Sequence, residues 1–222
     1  MLTPRSPSIL TATIMGLLFV SALPLSAQLG GRPAEEWAVT LESGRRLATL
    51  DIENVVARMM LQPGDIVADI GAGTGIFSIP MANVVGPSGV VFAQEVDADF
   101  LPIIQEKARA EGVANVQAVL GEFEDPKLPR NDVDVAFFHD VLHHIEKRAE
   151  YIMTLAGYMA PASRIVVVDY DRNLDGNPHQ SDPTLMISQE EVTAWMAAAG
   201  YQLAEEFDLF EEKLFAVYSR AN

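Results

Sequence analysis

The stretch VADIGAGTGIFS, Val67 to Ser78, ends an apolar run in an acid and follows it with three glycines and the start of a second apolar pattern. Gly71, Gly73 and Gly75 let a backbone turn tightly and approach a ligand without side-chain interference. A helix that follows such a turn offers unpaired N–H groups. The spacing is not that of a dinucleotide fingerprint, because the third glycine comes one residue early, and no lysine follows as a phosphate loop requires. Asp69, directly before the turn, disfavours phosphate and suits a cationic amino group. Two more acids stand where strands would end. Glu95 closes the run VFAQE and is suited to accept both hydroxyls of a ribose. Glu122, in LGEFED, is suited to accept the amino group of an adenine. Singly, each is an ordinary surface acid; in sequence they describe an adenosine pocket without phosphates.

The second constellation is HDVLHH, which holds His139, Asp140, His143 and His144, three of the four histidines of the chain. If a helical turn follows the strand, His139 and His143 share a face. An imidazole there could deprotonate an oxygen or nitrogen acceptor. Asp140, Asp169 and Asp171 also admit a hard-cation reading, because oxygen ligands suit such ions. That reading is the weaker one, and no metal is expected.

These residues need a scaffold that sets strand ends side by side. Short apolar runs at 66–70, 90–94, 116–120, 133–138 and 164–170 alternate with helical patterns at 76–85, 98–111, 145–159 and 188–199. Alternation of this kind predicts a doubly wound α/β fold around a mostly parallel sheet. Two final runs, 201–207 and 214–218, are joined by an acidic turn and predict an antiparallel C-terminal hairpin. Residues 34–61 read as helices parted at Gly44, Pro63-Gly64-Asp65 as a turn, and 121–131 and 171–183 as loops. Arg45-Arg46 stands out in the helical segment as a binder of an acidic group or as a surface salt bridge.

With 222 residues, the chain suffices for one full core. A net charge of −16 repels phosphate backbones, so nucleic acid is not an expected partner. The absence of cysteine excludes disulfides and a thiol nucleophile. Residues 1–27 have a basic start, an apolar middle and a small-residue end, which is the pattern of a secretory signal peptide. An uncleaved membrane anchor and a cytoplasmic location remain open. The expected organisation is thus 1–27 leader, 28–62 linker and capping helices, and 63–222 the main domain.

VADIGAGTGIFS, VFAQEVDADF, LGEFEDPKLP and DVDVAFFHDVLHHI, in this order, resemble the class I S-adenosylmethionine-dependent methyltransferases over residues 63–218. The resemblance implies a Rossmann-like seven-stranded sheet and S-adenosyl-L-methionine as cofactor. It implies that the methionine part lies on Asp69 and the turn of Gly71, Ala72, Gly73 and Gly75, the ribose on Glu95, and the adenine on Val96, Glu122 and Phe123. It also implies helices capping the site and a small-molecule acceptor. Glu122 departs from the Asp frequent in the family, and Pro161-Ala162-Ser163 from its Pro-Gly-Gly. Within this frame His143, His139 and Asp140 are the catalytic candidates. A binding protein that keeps the pocket without activity is the alternative, and oligomeric state is open.

Overall fold

A computed structural model describes residues 32–176 and 178–221; the expected leader lies outside them. The strands are β1 (Ile66–Ile70), β2 (Val90–Glu95), β3 (Val116–Leu120), β4 (Val133–His139), β5 (Met159–Tyr170), β6 (Tyr201–Glu206) and β7 (Lys213–Arg220). They form one sheet in the order β3-β2-β1-β4-β5-β7-β6. The pairs from β3 through β5 are parallel, while β7 runs antiparallel to both of its neighbours. Chain order reverses between β1 and β4, so the crevice of this sheet opens beyond the carboxyl ends of those two strands.

Strand residues alternate between two apolar layers because successive side chains point to opposite faces. Ala68, Ile70, Phe138, Ile165 and Val167 pack on one face with Tyr151, Ile152, Val192 and Met196. Val67, Val135, Phe137, Val166 and Val168 pack on the other with Val55, Met59, Met81 and Val85. The first face is covered by α6 (Arg148–Ala156) and α7 (Gln189–Ala198), and the second by α3 (Ile52–Arg58) and α4 (Ser78–Val85). α5 (Phe100–Ala110) follows β2 and buries the stripe Phe100, Ile104 and Ala108. Ser188 caps α7 through a reciprocal box with Glu191, as the sequence pattern predicts.

The expected doubly wound sheet with its antiparallel hairpin is observed, and β1 and β3 have the expected bounds. The helix expected over 145–159 is shorter. A 3-10 turn, Leu142–His144, precedes it, and Met159 already pairs with Val133 as the first residue of β5. Pairing between the interior strands β4 and β5 takes Met159 from the helix. The segment before β1 forms α1 (Ala34–Leu41), α2 (Gly44–Leu47) and α3, with a second break at Asp51, whose φ is +43°. Among the described residues, no helix is long and apolar enough to cross a membrane.

Candidate functional site

The turn after β1 is stitched to the end of β2. Ala72 N–H donates to the Gln94 carbonyl at 2.9 Å, and Gly73 N–H donates to Glu95 Oε1 at 2.7 Å. Gly71 has φ +67°, and a Cβ there would lie 2.4 Å from Val141 Cγ2. The turn can therefore pass beneath the 140s turn only with glycine at this position. A Cβ on Gly73 would meet Leu41 of α1 at 3.3 Å, so the N-terminal helices lie directly over the turn. Lys107 pairs with Glu42 and donates to Thr74 Oγ1 at 3.3 Å, which ties α5 to the same cover.

Asp69 is 3% exposed and receives a hydrogen bond from Ser78 Oγ at 2.5 Å. Burial pushes its carboxyl up to about 7; the Ser78 hydroxyl works against the shift and the charge of Glu95 adds to it. Burial also raises the Glu95 carboxyl, although the N–H groups of Gly73 and Val96 offset part of the effect. Glu95 Oε2 accepts the Val96 N–H at 3.0 Å, so both oxygens are anchored while each keeps a lone pair. Glu122 has a different placement. Its carboxylate lies on Lys127 at 3.3 Å, and the ring of Phe123 is 58% exposed.

A bare glycine turn, the anchored Glu95 and the inward Asp69 fit the nucleoside and amino-acid parts of S-adenosylmethionine better than a phosphate. Gly71 lets the backbone pass against Val141, and Gln94 Nε2, at the same turn, is buried with no hydrogen-bond partner among the described residues. Asp69, Gly71, Ala72, Gly73, Gly75 and Glu95 are brought together around this turn, with Val96 adjoining. Glu122 and Phe123 are set apart on the exposed loop after β3.

β4 delivers His139 and Asp140 beside the turn. His139 packs on Phe77 at 4.5 Å between ring centroids, and its Nδ1 lies 3.3 Å from Asp140 Oδ2. Its Nε2 is buried and unengaged among the described residues. Asp140 occupies the left-handed region at φ +55° and collects Lys213 Nζ at 2.9 Å and Arg46 Nη2 at 3.6 Å. Burial alone would raise its carboxyl, but His139 and Lys213 outweigh burial and hold it well below the usual range. A carboxylate so held is a poor proton acceptor, and its chemistry is to position cations.

His143 departs from the expected shared face. The left-handed Asp140 and the 3-10 turn interrupt a regular helix, so His139 meets Phe77 and Phe137 while His143 meets His144, Tyr170 and His179. The His143 ring is 1% exposed, and its Nδ1 lies 2.5 Å from Asp169 Oδ1. Asp169 Oδ2 also accepts the His143 backbone N–H at 3.1 Å. Asp171 accepts the backbone N–H groups of Asn173 and Gln189, so it organises the loop after β5. None of the three acids of the hard-cation reading is left as a bare oxygen ligand.

Sequence reasoning missed Lys213 and His179. Lys213 begins the last strand and reaches the site only because β7 inserts beside β5. His179 lies in a polar loop with no periodic signal. Arg46 fulfils the salt-bridge reading through Asp140, a partner that no local pattern could name.

Comparison with known proteins gives one picture. A family model described as a methyltransferase domain matches residues 61–206. The ubiquinone/menaquinone biosynthesis C-methyltransferase UbiE of Ectopseudomonas mendocina is 29% identical over 119 residues, 53% of this chain and 46% of that protein. The demethylmenaquinone methyltransferase of Geobacillus kaustophilus is 32% identical over 82 residues, 37% of this chain and 35% of that protein. The chain thus spans about half or less of the length of these relatives. Among solved structures, a SAM dependent methyltransferase from Aquifex aeolicus superposes with a TM-score of 0.73 at 24% identity, covering 86% of this chain and 99% of that one. The cyclase SpnF superposes with a TM-score of 0.67 at 14% identity, covering 77% and 79%. Both structural likenesses speak to the fold alone.

Proposed function

Since the chain belongs to the methyltransferase-domain family, the class I S-adenosylmethionine-dependent methyltransferases, we propose that it moves a methyl group from S-adenosylmethionine to a small-molecule acceptor through an O, N or C nucleophile. The observation that carries this reading is Glu95, buried at the tip of β2 and fixed to the glycine turn by the 2.7 Å bond from Gly73. A carboxylate anchored in this way is set to accept paired hydroxyls, and the glycines of the turn beside it let a nucleoside approach the backbone.

In this reading Glu95 takes the ribose, and Asp69 with the turn of Gly71, Ala72, Gly73 and Gly75 takes the amino-acid end. Val96 borders the adenine, and the loop after β3 reaches it on binding by folding the exposed Phe123 ring over it, with Glu122 released from Lys127. Bound there, S-adenosylmethionine supplies a methyl carried on a cationic sulfur. The protein's main task is then to hold an acceptor in line and exclude water. α1 and α2 cover the turn and provide that exclusion. Where the acceptor must lose a proton, His139 serves: Asp140 holds its Nδ1 side, leaving the Nε2 lone pair as the base. Asp140 acts as a positioning group, secured by Lys213 and Arg46. The two relatives are named for ubiquinone/menaquinone biosynthesis and for demethylmenaquinone, which supports a small organic acceptor here. The leader expected over residues 1–27 supports a place outside the cytoplasm, which N-terminal sequencing of the mature protein tests.

Calorimetry with S-adenosylmethionine and S-adenosylhomocysteine tests the binding half of the proposal. Transfer of a labelled methyl into a small-molecule extract tests the reaction. Both are expected. Absence of binding to either compound would refute the reading, and the scaffold would then serve another chemistry. Binding without transfer to any extract would favour a binding protein on this fold.

A further inference from the structure

We propose that His143, His144 and His179 form a site for one divalent transition-metal ion of the zinc class, with Asp169 as the carboxylate that orients the inner ligand. The three side chains come from two separate segments, the turn after β4 and the loop after β5. One ring nitrogen of each lies within 4.8 Å of the others. The centroid distances are 4.0 Å for His143–His144, 4.7 Å for His143–His179 and 5.7 Å for His144–His179.

The inner ligand is already prepared. Asp169 is fully buried and its Oδ1 lies 2.5 Å from His143 Nδ1, which places the imidazole proton on Nδ1 and the lone pair on Nε2. That Nε2 is buried and has no hydrogen-bond partner among the described residues. A carboxylate behind one imidazole nitrogen, with the other presented bare to neighbouring imidazoles, is the arrangement by which metal-binding histidines are oriented and made more basic.

The outer ligands can complete the set. Tetrahedral coordination at the usual metal–nitrogen bond lengths spaces ligand nitrogens by about 3.3 Å. The rings must therefore close by about 1.5 Å at most; His144 is exposed and His179 half-buried. The two segments are also pinned together independently of these rings. Arg148 donates to the His143 carbonyl at 2.5 Å, to the Thr184 carbonyl at 2.6 Å and to the Leu142 carbonyl at 3.2 Å. The guanidinium thus spends its charge on carbonyls that belong to the two ligand-bearing segments.

The donor set chooses the metal. Imidazole suits zinc, cobalt, nickel and copper, whereas magnesium and calcium want oxygen. The nearby carboxylates are committed elsewhere: Asp140 to Lys213, Asp171 to backbone N–H groups, and Asp169 to His143. Three protein ligands leave one position on a four-coordinate ion for water or for an oxygen of a bound molecule.

The test uses the full chain without a polyhistidine tag, stripped with chelator and dialysed against Zn2+, with bound metal counted by elemental mass spectrometry. One ion per chain is expected. His179→Ala should weaken binding at least tenfold, Asp169→Asn about ten- to a hundredfold, and His139→Ala, which removes the remaining histidine, should leave it unchanged. Co2+ in place of Zn2+ should give the strong visible bands of a tetrahedral site in the wild type, lost in His179→Ala. His179 is on a loop, so its variant keeps the test sound even if Asp169→Asn fails to fold. No ion retained at micromolar Zn2+ would overturn the proposal. So would His144→Ala and His179→Ala variants that bind like the wild type, or Mg2+ retained as well as Zn2+.

Discussion

Replacing Asp69 with asparagine separates the two roles of this carboxyl, its cost to the fold and its use to a ligand. The folded chain holds the Asp69 proton more tightly than the unfolded chain does, because burial pushes its value from 3.8 up to about 7. The stability that the protonated group contributes is therefore fully present below 3.8 and is lost as pH rises through about 7. The whole interval corresponds to roughly 4 kcal/mol. Between about pH 5 and about pH 8.5 the part at stake is about 2.5 kcal/mol, because some of the loss has already occurred by pH 5. The amide introduced by Asp69→Asn has no proton to lose and can still accept from Ser78, so the variant escapes this slope. Urea unfolding of both proteins at the two pH values measures the difference. The variant should gain about 2.5 kcal/mol on the wild type in going from the lower pH to the higher. Other titrating groups are common to both proteins and largely cancel. Affinity for S-adenosylmethionine should move the other way: the wild type should bind more tightly as Asp69 ionises, since the ligand's ammonium then meets a carboxylate, while the variant should stay flat. A stability difference that does not change with pH would refute the assignment of a buried, proton-holding Asp69.

Glu95→Gln should weaken binding of S-adenosylhomocysteine about ten- to a hundredfold in calorimetry, because hydrogen bonds to a charged acceptor are worth about 1.5–3 kcal/mol and the amide must present a donor to Gly73 or Val96. Gly71→Ala should abolish that binding and lower Tm, since its Cβ would sit 2.4 Å from Val141 Cγ2 in a left-handed backbone; a variant that binds normally would mean that the turn relaxes at no cost. Lys213→Met should destabilise the fold by about 1.5–3 kcal/mol in urea titrations, because Asp140 loses its nearest cation while keeping His139 and Arg46, and adding Asp140→Asn should restore part of the loss; equal stability of single and double variants would remove Lys213 as the partner that matters.

The parts of the fold set by local pattern were legible in the sequence. β1 and β3 could be bounded to the residue because an apolar run meets a turn signal at each end. α7 could be placed from Ser188, Glu191 and Gly200. The start of β5 was not legible, because Met159 continues a helical pattern and becomes strand only through its pairing with Val133. The turn of Gly71 to Gly75 and the anchoring acid Glu95 stood out because both sit at strand ends, where position alone restricts chemistry. The second half of the site was hidden for a different reason. Asp140 to Lys213, Arg46 to Asp140 and His143 to Asp169 are contacts between residues far apart in the chain. No periodicity carries information about such pairs; they exist only once the strand order is known.

The placement of β7 has a consequence for how this chain is made. β7, which follows β6 in the chain, is not an edge of the sheet but an interior member, wedged between β5 and β6. Until it arrives, Ile165 to Val168 have an open side and β6 has no neighbour to pair with. A nascent chain therefore waits with an exposed apolar edge, of the kind that chaperones and aggregation partners recognise. Completion of that sheet and delivery of Lys213 to Asp140 are one event, so a molecule that has not finished folding also lacks the charge balance of its own pocket.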